Sequence, residues 1–112
     1  MDNSVKEYIA KYPDEIQALF LKLRGMIYNV APQNVEEKLW AKLPSYYVGQ
    51  AFVRLIPFKD HINVEASAIS EYRNELERYK VTPQNMLQIY LQQAVPCEIL
   101  SQAFQDTLCG IK

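Results

Sequence analysis

Apolar residues first recur at helical spacing. Val5, Tyr8, Ile9 and Tyr12 lie three or four apart behind Asp2, Asn3 and Ser4, which are candidate caps, so a short opening helix is predicted. Pro13 suits the first turn of a second helix, and Asp14 and Glu15 suit its positive N-terminal end. From there Ile16, Leu19, Phe20, Leu23, Ile27 and Val30 form an unbroken stripe that Pro32 stops.

After Pro32 the period shortens to two. Leu39, Ala41 and Leu43 alternate with Lys38, Trp40 and Lys42, which predicts a strand over 36–43 that Pro44 interrupts. SYYV resumes extended chain, Gly49-Gln50 reads as a tight turn, AFVRLIP as a strand, Lys59-Asp60 as a further turn and HINVE as another strand. Such short connections imply an antiparallel meander, because parallel neighbours need crossovers of about a dozen residues.

Ser67 and Ser70 then offer caps for a second long helix with Ile69, Tyr72, Leu76 and Tyr79 on its apolar face. VTPQN punctuates the chain, and MLQIYL fits either a short helix or a return strand. Pro96 opens a last helix, with Ile99, Leu100, Ala103, Phe104 and Leu108 inward and Gly110 as its stop.

In an antiparallel sheet with helices on one side, alternate residues face water on the other. If Leu39, Ala41 and Leu43 point inward, then Lys38, Trp40 and Lys42 point outward. Likewise Val53, Leu55, Ile62 and Val64 inward leave Phe52, Arg54, Ile56, His61, Asn63 and Glu65 outside. Trp40, Phe52 and Ile56 supply apolar area beside the polar groups of Lys38, Lys42, Arg54, His61, Asn63 and Glu65, the composition of a ligand surface. The plainer explanation is that long charged side chains cover an exposed aromatic with their stems.

At 112 residues, 49% hydrophobic and 22% charged, the chain is expected to form one domain, residues 1–112, with one core. A net charge of −1 provides no basic field for nucleic acid. No apolar run reaches the ~20 residues of a membrane helix and MDNSVKEY lacks a secretory pattern, so a cytoplasmic protein is expected. Cys97 and Cys109, about 18 Å apart along one helix, cannot pair there and read as buried packing residues.

His61 is the single histidine, and no Gly-rich phosphate loop, GxSxG, CxxC or HExxH motif is present. A metal site would draw on His61 and Glu65. Asp60 would point to the other side of a regular strand, leaving His61 without an orienting partner for acid–base work. Glu36-Glu37 reads as a solvated strand start.

The order of residues in PQNVEEKLWAKLPSYYVGQAFVRLIPFKDHINV, 32–64, resembles the YdhG-like family of domains of unknown function, one branch of which is described as frataxin-like intracellular iron chaperones. The resemblance rests on Pro32, the Glu36-Glu37-Lys38 strand start, Pro44, and Phe58, Lys59 and His61 of the later turn. The order of the flanking helices agrees. It implies an α+β domain, with a curved antiparallel β-sheet and α-helices packed on one face, and no established catalytic set. One departure is that Ala41-Lys42 precede Leu43-Pro44, where relatives commonly carry an aromatic and then Gly. Two functions follow as expectations: a small binding protein, with iron or an organic molecule as ligand on the outer sheet face, or an interaction module using that face or a sheet edge for a protein partner or a second copy of the chain as a homo-oligomer.

Overall fold

The computed structural model describes residues 1–31 and 35–110. Pro32, read as the stop of the second helix, lies outside the described residues. Helix α1, Asn3–Ile9, starts where the Asp2 carboxylate accepts the N–H groups of Ser4 and Val5 at 3.0 and 3.2 Å, satisfying donors that have no partner within the helix. Helix α2, Asp14–Val30, begins after Pro13 and buries Ile16, Phe20, Leu23 and Ile27. Helix α3, Cys97–Cys109, buries Leu100, Ala103, Phe104, Thr107 and Leu108 and ends at Gly110 in the left-handed conformation, φ 61°, which only glycine adopts without steric cost.

Six strands form one antiparallel sheet: β1 Glu36–Trp40, β2 Leu43–Val48, β3 Ala51–Pro57, β4 His61–Ala66, β5 Lys80–Val81 and β6 Met86–Tyr90, in the order β1-β2-β3-β4-β6-β5. MLQIYL is thus the return strand. Pairing it beside β4 satisfies its backbone groups and buries Leu87 and Ile89.

Tyr46, Val53, Leu55, Ile62, Val64, Leu87 and Ile89 face the helices and are fully buried with the α2 and α3 stripes. At roughly 1.5–3 kcal/mol for each large apolar side chain, this layer is the main stabilising term.

Three local expectations are corrected. The strand predicted over 36–43 is a hairpin: β1 ends at Trp40, and Ala41 and Lys42 make its two-residue turn with φ of 51° and 67°. That pair of positive φ values matches the twist of the flanking strands. Pro44 lies within β2, buried and opposite Leu39, and Leu43 pairs with Trp40 on the outer face instead of pointing inward.

The second long helix is replaced by two 3₁₀ segments, Ser67–Tyr72 and Asn74–Leu76. Spacings of three and four do not separate the two helix types, and no side chain caps the start. Thr107 Oγ1 on α3 accepts the Ala68 N–H at 3.0 Å, and the Tyr72 hydroxyl donates to Asp106, so α3 holds this segment down. Cys97 and Cys109 are exposed, because they are the first and last residues of α3 and lie off its buried stripe.

Candidate functional site

The register places Lys38, Trp40, Phe52, Arg54, His61, Asn63 and Glu65 on the sheet face turned away from the helices, as directly opposed residues share a face. Lys42 is excluded from that face by its place in the hairpin turn. Ser45, Tyr47, Gln88 and Tyr90 belong to the face as well, and were not singled out because Pro44 obscured the phase of β2 and MLQIYL had two readings.

Arg54 is the centre of this surface. It is only 6% exposed, and each of its three guanidinium nitrogens donates a hydrogen bond. Nε donates to Ser45 Oγ at 2.9 Å, Nη2 to Tyr47 Oη at 2.9 Å and Nη1 to Glu65 Oε1 at 3.3 Å. Its carbon lies 4.3 Å from the Trp40 ring centroid and 3.8 Å from that of Phe52. An unpaired buried charge would cost several kcal/mol, and here ion pair, hydrogen bonds and ring faces offset it. Lys38 similarly places its ammonium 4.8 Å from the Tyr47 ring. Trp40 stays 50% exposed while stacked on Arg54.

His61 sits at the end of the sheet that holds the β1–β2 and β3–β4 turns. Its ring is stacked between Phe58 and Tyr90, each 4.5 Å away between centroids. Asp60 is in the turn and not in the strand, so its carboxylate reaches His61 Nδ1 at 2.7 Å; the expected opposite orientation does not hold. His61 therefore has an orienting carboxylate that the alternation rule hid. Glu65 lies four residues along β4 and pairs with Arg54. Among the described residues there is no group of three or more His, Cys, Asp or Glu that could hold a metal.

A groove of about 410 Å³ opens at the opposite end of the sheet. Phe52 and Glu65 bring the outer face to it, Gln50 comes from the β2–β3 turn, Gln84 and Asn85 from the β5–β6 turn, and Thr107 from α3. Residues from four separate parts of the chain meet there. No spacing in the sequence could have announced them.

On the inner side, Glu37 is not the solvated strand start that was expected. Its carboxylate accepts Arg24 Nε at 2.6 Å, the Asp2 N–H at 2.7 Å and the Tyr46 hydroxyl at 2.8 Å. Burial pushes its pKa up, but the hydrogen bonds from Arg24, Asp2 and Tyr46 outweigh this and hold it below the usual range. Burial, with the neighbouring Glu37 charge, pushes the Tyr46 phenol well up. This cluster joins the start of α1, α2, β1 and β2.

No family model and no curated protein matches the chain. Among solved structures, its fold is similar to that of YdhG from Bacillus subtilis, a protein of the DUF1801 family, with a TM-score of 0.75 at 18% identity, covering 93% of this chain and 86% of that one. The expected fold is thus the observed one: a YdhG-like α+β arrangement with an open antiparallel sheet. Among the described residues, no helix is long and apolar enough to cross a membrane.

Proposed function

We propose that the protein binds a small organic molecule on the outer face of its sheet, over Trp40, Phe52 and Arg54 and onward to Asn63 and Glu65. One observation carries this reading: a nearly buried arginine, held by three polar partners and two ring faces, keeps Trp40 half-exposed on the sheet face turned away from the described helices. Trp40 and Phe52 are thereby held in place before a ligand arrives, which lowers the ordering cost of binding. Asn63 adds a polar group in the same face whose buried Oδ1 has no hydrogen-bond partner among the described residues.

The iron reading comes from the family resemblance and would use His61 and Glu65. His61 Nδ1 is engaged by Asp60 and Glu65 by Arg54, which favours the organic ligand. A second reading, association with a protein partner, is favoured by Trp40 and Phe58, 50% and 43% exposed at or beside one end of the sheet.

An NMR titration separates these readings. Saturable shifts of the Trp40 indole with a member of a mixed metabolite panel are expected. Anaerobic ferrous titration that shifts His61 and is lost in His61→Ala, Glu65→Ala would support iron instead. Concentration-dependent sedimentation without response to either titrant would support self-association and overturn the ligand reading.

A further inference from the structure

The groove at the end of the sheet that holds the β2–β3 and β5–β6 turns has a hydrogen-bonding character set by the contacts that its walls already make. Asn85 has a left-handed backbone, φ 64°, and its Oδ1 accepts Arg73 Nε at 3.2 Å and Nη2 at 2.9 Å. Arg73 Nη2 also donates to the Thr82 carbonyl at 2.8 Å, and the Asn85 N–H closes the 82–85 turn on that carbonyl at 2.9 Å. An arginine has donors only, so the oxygen of Asn85 must face it and the amide –NH2 is the end left over. Asn85 is therefore a fixed donor.

Glu65 is its counterpart. Arg54 holds Oε1, so Oε2 is the acceptor left over on a carboxylate whose charge is already matched. Thr107 Oγ1 accepts the Ala68 N–H, which leaves its hydroxyl hydrogen to donate. Gln50 and Gln84, both exposed, add amides that can present either end. Phe52, with Arg54 on its ring, supplies the aromatic wall.

The lining thus offers both donors and acceptors, one aromatic surface and no unmatched charge. An anion would meet the Glu65 carboxylate, and a cation would compete with Arg54 for it. We infer that this groove binds an uncharged polyhydroxylated molecule of saccharide type, with ring hydroxyls bonded to Asn85, Glu65 and Thr107 and its C–H face against Phe52. A sugar hydroxyl both donates and accepts, so it satisfies the fixed groups in turn, while its C–H bonds suit the negative face of an aromatic ring. The inference rests on the small-molecule reading above and assigns it a ligand class and a subsite.

The test is an NMR titration of the full chain with glucose, galactose, mannose, N-acetylglucosamine, maltose and lactose, followed through the side-chain amides of Gln50, Gln84 and Asn85. Inorganic phosphate and spermidine serve as charged probes. At least one sugar is expected to give saturable shifts centred on the groove and carried through Phe52 and Arg54 to Trp40. Asn85→Asp, which keeps the carbonyl-type partner of Arg73 but removes the –NH2 donor, should weaken binding about tenfold. Gln84→Ala, at an exposed turn position, should weaken it less without affecting folding. Saturation by phosphate or spermidine and not by sugars overturns the ligand class but leaves small-molecule binding standing. Sugar-induced shifts confined to Trp40 overturn the subsite, and silence towards all of these probes overturns the saccharide inference, while the metabolite-panel response at Trp40 decides the broader reading on its own.

Discussion

Arg54 lies with its guanidinium carbon 4.3 Å from the ring centroid of Trp40, so the single tryptophan is placed by a charge and not by the hydrophobic core. The two side chains come from β3 and β1, with β2 between them. The contact therefore reaches across a strand.

Arg54→Ala is expected to cost about 2–4 kcal/mol in urea denaturation, because Glu65 and Ser45 lose their partner along with two ring contacts. Trp40→Ala should cost about 1 kcal/mol, since that indole is already half in water. If the two variants cost the same, Arg54 would not be the centre of this surface. A double-mutant cycle gives the coupling directly.

Glu37 links acid sensitivity to the inner cluster. Its folded-state pKa lies below the ordinary value of a free glutamate, so its stabilising contribution is present above that unfolded value and is lost as pH falls through the depressed folded one. Glu37→Gln is expected to cost about 2 kcal/mol at pH 7. It should also flatten the decline in stability below about pH 4.5, measured by urea midpoints across pH. A variant that lost stability equally at pH 7 and pH 3 would contradict the assignment.

The β1–β2 turn holds two non-glycine residues at positive φ, Ala41 and Lys42. Replacing them with Asn and Gly, the pair this turn geometry prefers, should raise stability by about 1 kcal/mol without altering the outer face. Thermal denaturation reads the gain, and an unchanged Trp40 emission maximum confirms that the face is preserved.

Thr107→Val keeps the shape of the side chain but removes the acceptor for the Ala68 N–H. About 1–2 kcal/mol should be lost, with faster amide exchange at Ala68 than at neighbouring buried positions. Uniform exchange across the domain would mean that this bond does not anchor the 3₁₀ segment.

The outward direction of Trp40 was readable because β1, β3 and β4 keep period two on one buried side, and Val53, Leu55, Ile62 and Val64 set the phase. The turn at Ala41-Lys42 was not readable, since neither residue is one that normally signals positive φ. Glu37 was misread because an acidic pair at a strand start is ordinarily solvated, and its partner Arg24 lies in the preceding helix. The Asp60–His61 contact depended on where β4 begins, a boundary that alternation alone does not locate. The groove required the β5–β6 turn to meet the β2–β3 turn, which only the strand order could disclose.

The strand order also bears on how the chain reaches this state. Among the described residues, four of the five strand pairings join strands adjacent in sequence, and only β4–β6 skips one. Local contacts of this kind close short loops and favour rapid zippering of the meander. Helix α3 follows every strand and supplies Leu100, Ala103, Phe104 and Leu108 to the core. This topology predicts that the β-meander forms early and α3 docks late, so weakening α3 packing is expected to accelerate unfolding while leaving the refolding rate nearly untouched.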